Sequence, residues 1–175
     1  MLKVIMIYDQ IQAGAGTKDD KMIPLAAKKE PVGPAVMMEQ FLKEIDAKCV
    51  ACLYCGNGYY KENQTEVVRK LTAMVKKLGP DAVMCGPSFN YVEFSEMCAD
   101  VAKSIQDHTD IPVIAAMSQE NEQTIEAFKN DIYIVKTPKK GGTGLNEALR
   151  NMCKLTQALV NKKDTSKLKE EVCFH

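Results

Sequence analysis

Five short apolar runs alternate along the chain with longer amphipathic stretches, and this order limits the possible folds more than any other feature. Apart from Lys3 in the first run, each run is apolar at every position rather than at alternate positions, which is typical of strands buried on both faces of a parallel sheet. The runs are Leu2–Tyr8, Cys49–Cys55, Ala82–Cys85, Pro112–Ala116 and Ile132–Val135. The sequence therefore predicts five buried, mostly parallel strands.

The stretches between the runs carry apolar residues at helical spacing. They recur every three or four positions from Val67 to Leu78, where Gly79 ends the pattern, and again from Leu145 to Leu159. Repeated strand–helix units require right-handed crossovers around a parallel sheet. We therefore expect an α/β three-layer sandwich with a five-stranded, mostly parallel sheet, flavodoxin-like or Rossmann-like. Residues 1–160 would form a single domain and residues 161–175 a charged C-terminal tail.

Composition excludes several classes of protein. The 175 residues carry 23 Lys+Arg and 23 Asp+Glu, and this balance removes the electrostatic case for nucleic-acid binding. No run approaches the roughly 18–20 apolar residues of a membrane span, and the first residues lack the features of a signal peptide. Seven cysteines, several inside apolar runs, favour a reducing compartment over a disulfide framework. We expect a cytoplasmic protein that binds neither nucleic acid nor membrane.

Ligands of parallel α/β sheets bind beyond the carboxyl ends of the strands. In this sequence the residues at those ends are rich in amides, hydroxyls and glycines, which are groups that line small-ligand clefts. The segments are Asp9-Gln10, Gly56–Tyr59, Gly86–Asn90, Met117–Asn121 and Thr137-Pro138. The sequence predicts a cleft along this edge of the sheet.

Three cysteines, Cys49, Cys52 and Cys55, have spacing like that of iron–sulfur ligands. Residues three apart on a regular strand point to opposite faces, so we expect Cys52 to face away from the other two and no cluster to form. Cys55 ends its strand before Gly56, where turn amides or a helix amino terminus would lower its pKa. It is the candidate reactive thiol. With only two histidines in the chain, Ser/His/Asp and Cys/His mechanisms are set aside.

A series of short motifs resembles one known family in order and spacing. The family is the component B selenoprotein of the glycine, sarcosine and betaine reductases, related to the proline reductase subunit. The motifs are Glu30–Pro34, Cys55-Gly56 with Tyr59 and Glu62-Asn63, Pro80-Asp81, Gly86–Asn90, Cys98, Ile111–Val113, Glu120-Asn121 and Asp131–Val135. The resemblance runs from about Val4 to about Leu159 and covers only the amino-terminal half of component B.

The resemblance implies a reductase subunit that takes part in reductive C–N bond cleavage of small amino acids or betaines in anaerobic bacteria. The half that carries the selenocysteine has no counterpart here, so a catalytic partner subunit would supply it. No cofactor is expected on this chain, whereas a selenocysteine or pyruvoyl group is expected on partner chains. Cys55 is the candidate catalytic residue, and the candidate substrate-binding residues are Tyr59, Asn63, Ser88, Asn90 and Asn121.

Two other functions stay open. The chain fits a non-catalytic ligand-binding or regulatory domain that kept the fold and lost the chemistry, because it has no nucleophile motif and no histidine in the cleft. A flavodoxin-like electron carrier is the third reading, although the chain has no Trp for flavin stacking.

A long connection, Asp9–Pro31, separates the first predicted strand from the first helix. We call it the arm. Connections of this kind usually have about 2–6 residues, and the arm contains an apolar hexad, Met22–Ala27. Such a hexad is expected to dock, either across its own cleft as a lid or on a neighbouring subunit. We predict a homo-oligomer, a dimer by preference, or a complex with a catalytic chain, with a self-covered monomer as the alternative.

Overall fold

A computed structural model describes all residues from Met1 to His175. It contains one six-stranded sheet and seven helices. In chain order the elements are β1 (Leu2–Tyr8), β2 (Ala26–Lys28), α1 (Pro34–Glu44), β3 (Ala47–Tyr54), α2 (Asn57–Glu62), α3 (Gln64–Leu78), β4 (Ala82–Cys85), α4 (Val92–His108), β5 (Val113–Met117), α5 (Glu122–Phe128), β6 (Ile134–Lys136), α6 (Leu145–Val160) and α7 (Ser166–Val172). No helix has both the length and the apolar character that a membrane crossing requires.

The strands lie in the order β2-β3-β1-β4-β5-β6, and every neighbouring pair is parallel except β2 with β3. The five strands predicted from the apolar runs therefore have the order 2-1-3-4-5, which is the flavodoxin-like order. The predicted count of five is wrong. The sixth strand, Ala26–Lys28, lies in the arm and is too short to produce a readable pattern.

Two groups of helices pack on this sheet. α1 packs with α6, and α4 packs with α2, α3 and α5, while α1, α4 and α6 contact the strands directly. This grouping is what right-handed crossovers produce when helices cover both faces of a parallel sheet. The strands between them are almost fully buried: β4 and β5 have no exposed residue, and only the first two residues of β1 reach the surface.

β3 is irregular beside β1. Val4 pairs with Cys49, but the following residue of β1 pairs with Ala51, so Val50 is an extra residue in β3. A bulge of this kind reverses the faces to which the later side chains point. Cys49 and Cys52 consequently share a face, and their Sγ atoms are 3.8 Å apart. The expectation that they point to opposite faces is wrong, because it assumed a regular strand.

The segment set apart from the sequence as a charged tail contains α7, which packs on α6. Beyond α7, Cys173 is fully buried and forms an antiparallel bridge with Val135 of β6. The next N–H, that of Phe174, donates to the Ile134 carbonyl at 3.0 Å. Residues 161–175 thus reach the outer edge of β6, while the division of the chain at residue 160 stays a prediction.

Candidate functional site

The arm lies directly on the carboxyl end of β3. The Gly56 N–H donates to the Ile23 carbonyl at 2.7 Å, and the Tyr59 N–H donates to the Lys21 carbonyl at 2.8 Å. The approach is so close that a Cβ atom on Gly56 would stand 1.9 Å from the Lys21 oxygen. Glycine is therefore required here because the Lys21 carbonyl lies so close, and not because of backbone conformation, since a φ of −64° suits any residue. The arm docks on its own chain, and the oligomeric state stays a prediction.

A buried polar cluster lies where β1 ends beneath the arm. Asp9 is fully buried; its Oδ1 accepts the Gln12 N–H at 2.9 Å, and its Oδ2 accepts from Asn57 Nδ2 at 3.4 Å. Burial raises the pKa of the Asp9 carboxyl above its usual value, although these hydrogen bonds oppose the change. Asn57 Oδ1 is buried and has no hydrogen-bond partner. The cluster is thus rich in acceptors and short of donors.

Cys55 belongs to this closed region. Its side chain is fully buried, and its Sγ lies 4.0 Å from Met97 Sδ in α4. Burial, reinforced by the Asp9 carboxylate, raises the pKa of the Cys55 thiol to about 12. The sequence led us to expect a lowered pKa from turn amides, and the burial of the thiol outweighs that effect. In the closed arrangement Cys55 is a protonated, unreactive thiol.

Two of the predicted binding residues, Ser88 and Asn121, are buried and bonded within the fold. Ser88 Oγ is 2.7 Å from Ser95 Oγ and donates to the Ala116 carbonyl at 3.2 Å. Asn121 Nδ2 donates to the Phe89 carbonyl at 2.6 Å, while Asn121 Oδ1 has no partner. Ser88 thus joins the loop after β4 to β5 and α4, and Asn121 joins the loop after β5 to the loop after β4. Their positions at the strand ends were predicted, but their hydrogen bonds go to the protein itself.

The other predicted binding residues lie at the rim and are partly exposed. Asn63 lies between α2 and α3, where its Nδ2 donates to the Tyr59 carbonyl at 3.0 Å. Asn90 Oδ1 accepts the Lys140 N–H at 2.9 Å and thereby holds the loop between β6 and α6. The six predicted residues therefore do not line one cleft.

An open cavity of about 600 Å³ lies beside α4 and α5 on the same edge of the sheet. Asn121 is the one predicted site residue that lines it. Acidic side chains dominate its walls, with Glu96, Glu120 and Glu122 facing the single Lys61. Its charge favours cationic groups.

A second open cavity, of about 430 Å³, lies at the carboxyl ends of β5 and β6; we call it the β5–β6 cavity. Unlike the first, it carries charge of both signs, with Glu120 on one side and Lys136 and Lys139 on the other. Ser118 Oγ donates to Glu120 Oε1 at 2.9 Å, and Lys136 Nζ lies 5.8 Å from the centre of the Phe174 ring. The search for amides and hydroxyls missed these lysines, although both lie just after Val135, where the last predicted strand ends.

A third cavity, of about 590 Å³, lies between α3 and α4. Its walls belong to the outer surface of the helix layer, including Arg69, Lys76, Asp100 and His108, and none comes from a strand end. Ligands of parallel sheets bind at strand ends, which makes the β5–β6 cavity the better candidate. Nowhere in the chain do three or more His, Cys, Asp or Glu side chains gather as metal ligands.

Curated relatives of this chain are subunits of reductase complexes. It is similar to the sarcosine reductase complex component B subunit beta of Peptoclostridium acidaminophilum, with 29% identity over 92% of this chain and 36% of that protein. It is also similar to the glycine reductase complex component B subunit gamma of Carboxydothermus hydrogenoformans, with 30% identity over 97% of this chain and 38% of that protein. The betaine reductase complex component B subunit beta of P. acidaminophilum is 21% identical over 91% of this chain and 36% of that protein.

The chain thus spans just over a third of the length of the curated relatives it matches. No solved structure matches it. The family model described as glycine/sarcosine/betaine reductase selenoprotein B matches residues 1–175, which is every residue of the sequence. The chain therefore belongs to the glycine/sarcosine/betaine reductase selenoprotein B family.

Proposed function

We propose that this chain contributes a small-substrate cleft to an amino-acid reductase and that another chain brings the reactive nucleophile. The observation that carries the proposal is the family match across all 175 residues. The candidate reactive thiol of this chain, Cys55, is buried, and its pKa is raised to about 12. We propose that a selenocysteine or pyruvoyl group on a partner chain supplies the nucleophile that this buried thiol does not, and that the reaction is the reductive cleavage of a C–N bond.

The β5–β6 cavity suits a small zwitterion. Lys136 and Lys139 would attract a substrate carboxylate, and Glu120 would attract its ammonium or quaternary nitrogen. Both charges of glycine, sarcosine or betaine are then matched within one open space of about 430 Å³. That volume exceeds the size of such molecules, so a group from a partner chain would complete the site.

Catalysis by Cys55 requires a change of conformation. The arm covers the end of β3 through Gly56, and the thiol itself packs on Met97. Movement of the arm would admit water to the Asp9 cluster and reduce the burial that keeps the thiol protonated. Cys55, with Tyr59 beside it, would therefore be the candidate catalytic site only when the arm has moved away.

The partner is proposed to dock on the carboxyl edge of the sheet. Among the six exposed large hydrophobic side chains, Met22 belongs to the arm, Val36 and Met37 to the first turn of α1, and Val92 to the first turn of α4. The helices that follow parallel strands begin at this edge, so these four residues lie on the side of the sheet that holds the candidate site. Exposed apolar groups around a polar site are typical of a protein interface.

Isothermal titration with glycine, sarcosine, betaine and proline tests the cleft. Glu120→Gln keeps the acceptor of Ser118 but removes the charge, and Lys139→Gln removes the opposite charge. We expect each to weaken binding at least about 10-fold, which corresponds to about 1.4 kcal/mol. Lys163→Gln, at an exposed position after α6, is the matched control and should bind normally. The absence of heat with every ligand, with and without partner extract, would exclude the substrate-binding role.

A non-catalytic binding or regulatory domain is the second candidate, favoured by the burial of Cys55 and the absence of histidine from the strand ends. The neighbouring genes distinguish the two. A selenocysteine-containing reading frame beside this gene supports the reductase subunit, whereas an unrelated operon supports the second candidate.

A further inference from the structure

Two thiols outside the candidate site lie close together at the bulge of β3. Cys49 and Cys52 are the only cysteines whose sulfur atoms contact each other, at 3.8 Å. Val50, the extra residue of the bulge, turns both side chains to one face. A disulfide has a sulfur–sulfur distance of about 2.05 Å, so the two atoms need to approach by roughly 1.8 Å. Closure therefore requires side-chain rotation and an adjustment of the irregular backbone.

The edge of the sheet beside this pair is open. β2 pairs with β3 only from Cys52 to Tyr54, so no strand covers the earlier part of β3 on that side. Lys48 is exposed and Val50 is partly exposed at the uncovered stretch. Cys49 lies between them and keeps 9% of its surface exposed, whereas Cys52 is fully buried. A small oxidant thus has a route to the pair from the sheet edge.

The two thiols are electrostatically unequal. The hydrogen bond between them holds the proton on Cys49 and raises its pKa, an effect that burial reinforces. The same hydrogen bond lowers the pKa of Cys52, aided by the Lys28 ammonium of β2. The thiol with the lower pKa forms a thiolate more readily, and the thiolate is the form from which sulfur oxidation proceeds.

We propose that Cys49 and Cys52 form a reversible redox pair that closes to an intrachain disulfide when it meets a peroxide. The Cys52 thiolate attacks one peroxide oxygen, the O–O bond breaks, and with one proton taken up the products are a Cys52 sulfenic acid and water. The Cys49 thiol then attacks the Cys52 sulfur; the S–O bond breaks, and the hydroxyl leaves as a second water with the Cys49 proton. The two thiols lose two electrons, and the peroxide gains them. A dithiol reductant reverses the change by thiol–disulfide exchange.

This pair is independent of the substrate cleft. It lies near the middle of β3, whereas the β5–β6 cavity is formed from strand ends on the other side of β1. It does adjoin the arm, because Cys52 pairs directly with Lys28 of β2. Its redox state is therefore expected to affect the pairing of β2, the strand that holds the arm against the sheet.

A single tryptic peptide reports the linkage. Cleavage after Lys48 and Lys61 releases residues 49–61, which contain Cys49, Cys52 and Cys55. The folded chain is treated with hydrogen peroxide, unfolded in N-ethylmaleimide, digested and mapped by mass spectrometry. We expect the peptide to take up one maleimide instead of three, at Cys55, and to lose the mass of two hydrogen atoms. Dithiothreitol before alkylation should restore all three maleimides.

Single cysteine variants test which two thiols form the disulfide. Cys52→Ser should leave Cys49 free to react with maleimide, and Cys49→Ser should stop at the Cys52 sulfenic acid without a disulfide. Cys153→Ser, at a buried position in α6, should still form the disulfide. The wild-type map decides the question even if a variant fails to fold. Three maleimides on the oxidised wild-type peptide would overturn the proposal, as would a disulfide through Cys55, a bond between two chains, or sulfinic acid as the only product.

Discussion

Substitution of Gly56 by alanine tests whether the arm is held by one close backbone contact. The new Cβ would stand 1.9 Å from the Lys21 oxygen and 2.8 Å from the Ile23 nitrogen, both of them backbone atoms that cannot rotate away. The φ of −64° and ψ of 141° at Gly56 suit alanine, so the variant should fold with the arm displaced. The expected effect is local to the arm.

The magnitude follows from the two hydrogen bonds that tie the arm to the end of β3. Gly56 N–H to Ile23 O and Tyr59 N–H to Lys21 O each contribute about 1 kcal/mol. Their loss shifts the opening equilibrium of the arm by about 2 kcal/mol, which raises the open population about 30-fold. Opening frees the Lys21 carbonyl, which is the carbonyl that trypsin attacks when it cleaves after Lys21.

Limited trypsin digestion measures this opening. When opening is fast compared with cleavage, the rate follows the open population, so cleavage after Lys21 should rise about 30-fold in Gly56→Ala. Gly79→Ala is the control: its φ of +59° disfavours alanine, but nothing lies within 4 Å of the new Cβ. This control should lose about 1–2 kcal/mol of global stability without faster cleavage after Lys21. A folded Gly56→Ala variant that is cleaved at the wild-type rate would refute the reasoning.

Three further results are expected. Asn121→Ala should lower the free energy of unfolding in urea by about 2 kcal/mol, because the hydrogen bonds that Asn121 donates to the Phe89 and Ser118 carbonyls are lost; no change would show that these bonds are dispensable. Burial raises the pKa of Asp9, so the folded state binds its proton more tightly and stability falls as pH rises from about 4 toward that pKa. Asp9→Asn should flatten this part of the plot of unfolding free energy against pH. An unchanged plot would show that a group other than Asp9 causes the pH dependence. Iodoacetamide should modify Cys55 more slowly than an exposed thiol at neutral pH, since its pKa is raised to about 12; equal rates would contradict its burial.

The order of the large elements was predictable because it rests on burial patterns that span many residues. β1, β4 and β5 are buried on both faces, and their continuous apolar runs record that burial directly. β2 has three residues and owes its structure to pairing with β3, so its own sequence carries no strand signal. Pairing with a neighbouring strand determines whether such a short segment becomes a strand, and the local sequence pattern contains no information about that pairing.

The position of polar residues at the strand ends was predictable, but their arrangement was not. The strand-end rule placed Ser88 and Asn121 correctly at the carboxyl edge, yet Ser88 bonds to the Ala116 carbonyl of β5 and Asn121 to the Phe89 carbonyl of a neighbouring loop. Polar residue type does not reveal whether a hydrogen bond goes to a ligand or to the protein. The same limit applies to Cys49 and Cys52, because a bulge depends on how β3 pairs with β1 and not on the residues of β3 alone.

Both outer edges of the sheet are shielded by very short pieces of chain. β2 covers one side of β3 with three residues, and a single bridge from Cys173 to Val135 covers β6. Such short pieces offer few free N–H and C=O groups along which a strand of another molecule would pair. The stretch of β3 before Cys52 is the exception, because no strand covers its outer side. Extension of the sheet by a second copy is therefore confined to that stretch, and any other association has to bring helix surfaces or the strand-end face together.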